Sequence, residues 1–433
     1  MRRYESYKDS GVEWLGEIPS HWECLPIRSI FKFRNEKNDP IKTDNILSLS
    51  IANGVTEYSD ENRGGNKRKD DLSSYKLAYP NDIVLNSMNV IVGAVGVSKY
   101  FGAISPVYYA LSLYNQRANL SYYENIFKNE NFQRGLLRFG KGILIKFGEN
   151  GKMNTIRMKI SQDDLKKLYF PIPPLDEQQK ISQFLDDKTA KIDQAVDLAE
   201  KQIALLKEHK QILIQNAVTR GLNPDVPLKD SGVEWIGQVP EHWELTIGMN
   251  VFRENKRDNK GMKENTVLSL SYGKIIIKPE EKLFGLVPES FETYQIVEPN
   301  DIIIRCTDLQ NDQTSLRTGL AQDKGIITSA YLNLKVINNY SAKFLHYYLH
   351  ALDITKVLYK FGSGLRQNLS FLDFKRLPII DIPLAEQQQI ADYLDAQIIK
   401  IDQAIALKTA HIEKLKEYKS VLINDVVTGK VRV

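Results

Sequence analysis

A chain of 433 residues with 42% hydrophobic and 26% charged side chains is long enough for two globular units, each with its own core. No apolar run approaches bilayer length and Arg2-Arg3 precede no apolar segment, so neither a membrane span nor a secretory leader is read, and a cytoplasmic location is expected. The formal charge of +4 permits nucleic-acid binding without arguing for it, and two cysteines, Cys24 and Cys306, lacking neighbours at metal-ligand spacing, exclude a disulfide framework and read as inert thiols.

In chain order, the first element is a connector that recurs. Lys8 to Gly16, KDSGVEWLG, returns at Lys229 to Gly237 as KDSGVEWIG, with eight of nine residues identical. Ile18-Pro19-Ser20-His21-Trp22-Glu23 returns as Val239-Pro240-Glu241-His242-Trp243-Glu244. The segments that follow, roughly 20–170 and 242–378, carry β-branched and aromatic runs broken by glycine and asparagine, and read as strands and turns. They share Leu47-Ser48-Leu49-Ser50 with Leu268-Ser269-Leu270-Ser271, Pro80-Asn81-Asp82-Ile83 with Pro299-Asn300-Asp301-Ile302, and Phe139-Gly140 with Phe361-Gly362. Each holds one helical stretch opened by a serine cap, Ser121 to about Leu137 and Ser341 to about Tyr359. Beyond Gly142 the first copy has about thirteen residues that the second lacks.

Each half then ends in a long helix. Pro174-Leu175-Asp176-Glu177-Gln178-Gln179 matches Pro383-Leu384-Ala385-Glu386-Gln387-Gln388, with proline before the first turn and acidic residues in it. Ile192, Val196, Ala199, Ile203, Leu206, Leu213 and Ala217 recur in steps of four and three, as do Ile401, Ile405, Ile412, Leu415, Leu422 and Val426. That period predicts a mutual coiled-coil seam, with Lys210 and Lys419 at one equivalent seam position. The expected fold is α+β: two globular domains separated by an antiparallel pair of long helices in a pseudo-two-fold repeat, with both chain termini meeting at the first domain. The boundaries read as 1–170, 171–220, 221–380 and 381–433.

Domain, helix, domain, helix, with halves sharing SGVEW(L/I)G, PxHWE and PLxEQQxI and with a Val-Thr-Gly-Lys ending, is similar to the specificity subunits of type I restriction-modification systems. The resemblance covers nearly the whole chain. It implies two target-recognition domains, each reading one half of a bipartite, asymmetric site in double-stranded DNA, and helices that dock two DNA adenine methyltransferase subunits, which motor-endonuclease subunits then join. It implies no catalytic residue, cofactor or metal in this chain.

Candidate DNA contacts follow from residue chemistry in the divergent loops. Arg63, Lys67, Arg68 and Lys69 form a basic loop suited to phosphates, and Asn86 and Asn89 offer amides to base edges. In the second half Arg305, Gln310, Asn311, Gln313 and Arg317 occupy the corresponding stretch, followed by Arg366, Gln367 and Asn368; Arg157 joins them by its match to Arg366.

The rival classes are a DNA-modifying enzyme and a coiled-coil scaffold with no DNA role. Asn223-Pro224-Asp225 lacks the second proline and the aromatic residue of an adenine methyltransferase motif, and Gly148 to Lys152 is too short for a phosphate-binding loop. His346 and His350 lie four apart on a helix without a third ligand nearby, and read as structural. Trp14, Trp22, Trp235 and Trp243, all in the repeated connector, read as packing groups that hold a helix end against a domain. A pure scaffold leaves the two divergent domains unexplained.

Overall fold

The computed structural model describes residues 2–59, 71–115, 117–143, 157–279, 290–307, 309, 316–361 and 368–433. The chain divides into two compact units, Met1–Leu198 with Ala410–Val433, and Ala199–Thr409. No helix among the described residues is long and apolar enough to cross a membrane.

Unit 1 is built on a four-stranded antiparallel sheet of β1 (Phe31–Arg34), β2 (Asp82–Asn86), β3 (Val95–Val97) and β4 (Tyr108–Leu113), in the order β1-β4-β2-β3. Strand β2 carries three consecutive apolar residues, Ile83-Val84-Leu85, because both of its faces are covered. Ile83 and Leu85 face the main core, while Val84 faces a smaller one with Leu47, Leu49 and Val55 of an adjoining hairpin. The Leu-Ser-Leu-Ser repeat is therefore the inner and outer face of that hairpin. Two short helices, α1 (Leu120–Phe127) and α2 (Glu130–Leu136), cover the main core. The sequence led us to expect one helix capped by Ser121. The cap is Asn119, whose side chain accepts from Tyr122 N, and a second asparagine cap, Asn129, accepting from Phe132 N, restarts the helix one turn later.

The long helix α3 runs from Leu175 to Arg220. In unit 2, β5 (Phe252–Glu254), β6 (Ile302–Arg305), β7 (Thr318–Leu320) and β8 (Tyr331–Val336) repeat the sheet in the order β5-β8-β6-β7. Ile302 and Ile304 again face one core and Ile303 the other. Helix α4 (Ala342–Ile354) is uninterrupted and capped by Ser341 as expected, and α5 spans Leu384–Val427. The long helices complete both cores: Ile181, Leu185, Leu422 and Val426 in unit 1, and Ile214, Ala217, Ile390 and Leu394 in unit 2.

The expected seam is present within each unit. In unit 2 the two helical segments run antiparallel, with Lys408 Nζ donating to Gln202 Oε1 at 2.6 Å and Lys210 Nζ to Asp402 Oδ1 at 2.7 Å. In unit 1 Lys419 donates to Asp193 at 2.6 Å, so each seam lysine takes the equivalent aspartate of the other helix. Both chain ends belong to unit 1, where Arg432 N donates to Arg2 O at 2.7 Å.

The repeated strings prove to be one device seen from two sides. Trp22 and Trp243 are fully buried, and their indole N–H groups donate to Glu177 and Glu386 at 2.9 and 3.1 Å. His21 and His242 reach the other oxygens of the same carboxylates at 2.7 and 3.2 Å. The next residue, Gln178 or Gln387, is fully buried and accepts from the backbone N–H of Asn119 or Ser341, tying the start of the long helix to the cap of α1 or α4. Gly221 and Gly429, both at φ +74°, turn the chain out of each long helix where a side chain would strike Trp243 or Trp22. The tryptophans are packing groups, as the sequence indicated.

Candidate nucleic-acid interface

The repeated Pro-Asn-Asp-Ile string sets the central strand of each sheet. Asn81 and Asn300 take left-handed backbone, φ 70° and 72°, to make the turn, and the next aspartate is buried at the start of the strand. Arg34 Nε donates to Asp82 at 2.8 Å, and Arg257 Nη2 donates to Asp301 at 3.0 Å. A hydrogen-bonded ion pair between a buried aspartate and a partly exposed arginine at one end thus fixes the strand whose other end carries Asn86 or Arg305. The two strand ends are equivalent: Asn86 pairs across the sheet with Tyr108, and Arg305 with Tyr331.

Beyond this shared position the units diverge. Asn86 Oδ1 accepts from Met88 N at 3.0 Å, which turns the chain and leaves the amide N–H donors of a half-buried side chain. Asn89, also half-buried, precedes a short 3₁₀ turn without capping it. In unit 2 Arg305 is half-buried at the strand tip and Asn368 is exposed.

Arg317 departs from the sequence expectation. It is fully buried, its guanidinium donates to the carbonyls of Thr307 at 2.8 Å and Arg305 at 3.3 Å and to Tyr359 Oη at 3.1 Å, and its backbone N–H donates to Asp353. With its donors turned inward it braces the segment that leaves β6 instead of offering charge to a ligand. Arg63, Lys67, Arg68, Lys69, Gln310, Asn311, Gln313, Arg366 and Gln367 lie outside the described residues, as does the side chain of Arg157, whose backbone pairs with Ile143.

That pairing locates the extra residues of the first half: they fall at 144–156, outside the described residues, between the stem strands Lys141–Ile143 and Arg157–Lys159. The stem brings together a basic group that residue spacing concealed. Lys141 and Lys159 are exposed and directly opposed. Opposed like charges in a strand pair are unfavourable unless an anion lies near them. Burial, and then the charge of Lys159, holds the Lys76 ammonium below its ordinary pKa. Only the register of the hairpin, not any string in the sequence, could reveal this cluster.

The cysteines are free, and burial pushes the Cys24 thiol up to about 11 and the Cys306 thiol up to about 12, which keeps both protonated and unreactive at neutral pH.

Three comparisons bear on this arrangement. The type I restriction modification DNA specificity domain matches residues 19–207. A putative type I restriction enzyme MjaX specificity subunit of Methanocaldococcus jannaschii is 25% identical over 97% of this chain and 96% of its own length, and the MjaVIII specificity subunit of the same organism is 23% identical over 96% and 94%. Among solved structures, a chain from work on complex assembly and conformational transition of the type I R-M system superposes with a TM-score of 0.67 at 12% identity, covering 96% of this chain and 99% of its own. The HsdS subunit of Thermoanaerobacter tengcongensis gives 0.54 at 13% identity, covering 96% and 98%. With a matching domain over residues 19–207, relatives that align from end to end and a shared fold, the chain is similar along its whole length to the DNA specificity subunits of type I restriction-modification systems.

Proposed function

We propose that the chain is a specificity subunit, each half of which reads one half of a bipartite, asymmetric sequence in double-stranded DNA, with target-recognition domains at 1–170 and 221–380. The observation that carries the reading is the equivalent strand end occupied by Asn86 in one unit and Arg305 in the other. The backbone position is the same and the hydrogen-bonding chemistry is different, as two readers of unlike half-sites require: an amide suits adenine and a guanidinium suits guanine. Lys76, Lys141, Lys159 and the basic residues Arg63, Lys67, Arg68 and Lys69 serve the phosphates. The long helices dock two DNA adenine methyltransferase subunits, and motor-endonuclease subunits join that complex. The chain itself is non-catalytic and acts in the cytoplasm.

The test is to co-express the chain with the methyltransferase subunit of its system and map methylated adenines across the host genome. A split, asymmetric motif is expected; a contiguous or palindromic motif would sink the reading. Replacing residues 242–378 with the matching segment of a relative should change one half of that motif and leave the other intact. Purified without its partner, the chain should transfer no label from S-adenosylmethionine to DNA.

A further inference from the structure

Unit 2 contains a cleft of about 770 Å³, walled by Lys210 and Ile214 of α3, the hairpin tip at Tyr272, one face of α4, and Asp395 and Asp402 of α5. On its α4 wall His346 and His350 stand one helical turn apart, with ring centroids 6.0 Å apart and planes inclined by 30°. His346 Nε2 and His350 Nδ1 are both buried, and neither has a hydrogen-bond partner among the described residues. Two orphaned ring nitrogens on adjacent turns of one helix are a cost the fold does not impose. Counted from the helix caps Asn119 and Ser341, the same two positions in unit 1 are Glu124 and Lys128, which satisfy each other in an ion pair at 2.7 Å.

The neighbouring carboxylates are committed elsewhere: Asp395 accepts from Lys343 at 2.6 Å and from Tyr347 Oη at 2.5 Å, and Asp402 accepts from Lys210 at 2.7 Å. Among the described residues no third side chain completes a ligand set.

We propose that His346 and His350 form a two-imidazole site for a borderline divalent transition metal of the zinc, nickel and copper class, with water in the remaining positions. Imidazole nitrogen is the ligand these ions favour, and two histidines four apart on one helix face present their rings to a single ion.

The experiment is calorimetric titration of the full-length, chelator-treated chain with Ni²⁺, beside a His346→Glu, His350→Lys double variant that installs the ion pair of unit 1, and a His209→Gln control on the exposed face of α3. One equivalent should bind to the parent and to the control and be lost in the double variant, with circular dichroism confirming that all three fold. An equivalent that survives in the double variant, or none in the parent, overturns the proposal. Should the double variant not fold, the electron paramagnetic resonance spectrum of the parent with one equivalent of Cu²⁺ decides. Splitting from two imidazole nitrogens is expected, and an all-oxygen spectrum would overturn the site.

Discussion

Glu177 and Glu386 hold the same side chains in the two halves of the molecule, whereas Asn86 and Arg305, at one and the same strand end, share only their position. The difference separates two kinds of constraint. Where a long helix must be fixed to its own unit, the partners are a buried tryptophan, a histidine, a glutamate and a glutamine in both halves, because the geometry to be held is the same. Where the sheet ends and the chain turns outward, the backbone repeats while the side chains diverge, and the brace behind the strand diverges with them: Arg317 on the carbonyls of Arg305 and Thr307 in unit 2, and Ser87 on the carbonyl of Val107 in unit 1.

The hardest blow to this comparison falls on the tryptophans. Trp22→Ala and Trp243→Ala each remove a fully buried indole and leave a glutamate without its N–H donor, so each should destabilise the chain by about 3–5 kcal/mol. Urea denaturation of the two variants should give losses of similar size. If one proved near neutral, the halves would not be held by the same device.

Next come the glutamines, where the halves should part slightly. Gln178→Ala strips partners from the Asn119 N–H and from the carbonyls of Arg117 and Pro173, whereas Gln387→Ala strips them from the Ser341 N–H and the Ile382 carbonyl. With each buried orphan costing about 1–3 kcal/mol before relaxation, the first substitution should be the more damaging. Equal losses in thermal melts would show that water or local rearrangement replaces the third bond.

These contacts mark how far the sequence could be read. The repeat announced that HWE and PLxEQQ mattered in both halves, and the heptad spacing disclosed the seam, because periodicity and repetition are properties of order along the chain. That Trp22 donates to Glu177, 155 residues away, is a property of folding and left no local trace. The same limit hid the opposed Lys141 and Lys159, which only strand register brings together, and it misdirected the reading of Arg317. An arginine in a polar stretch looks like a ligand for phosphate until the carbonyls that surround it are known. The cap at Asn119 was missed for a smaller reason: asparagine and serine are comparable caps, and both stand within two residues of the helix start.

At the strand ends the effect should fall mainly on recognition. Asn86→Ala and Arg305→Ala each truncate a half-buried side chain at the end of a central strand, and Asn86 also gives up its bond from Met88 N, so stability should fall by no more than about 1.5 kcal/mol. Discrimination at one base of one half-site should weaken by about 1–3 kcal/mol, read as relaxed methylation at a single motif position. Relaxation in the same half-site for both variants would contradict the assignment of one half-site to each unit.

The smallest effect tests the seam, where the two halves are most alike. Lys210 with Asp402 and Lys419 with Asp193 are equivalent pairs at 2.7 and 2.6 Å, but their side chains are 25% and 38% exposed in unit 2 against 31% and 58% in unit 1. Partly exposed ion pairs contribute about 0.2–1 kcal/mol, because water and salt screen the attraction and ordering two long side chains opposes it. Methionine at either lysine keeps the aliphatic stem in the seam and removes the charge, so each variant isolates the pair from the packing. Lys210→Met should therefore cost slightly more than Lys419→Met at low salt, and its cost should decline less as salt is raised, since the unit 2 pair is the more sheltered. Urea midpoints of the two variants at 0.05 M and 0.5 M NaCl measure both differences. If Lys419→Met proved the more costly, factors other than shielding would govern these pairs. If both variants gained stability, the lysines would be a cost that the seam bears, and an apolar residue at each position would make the better heptad.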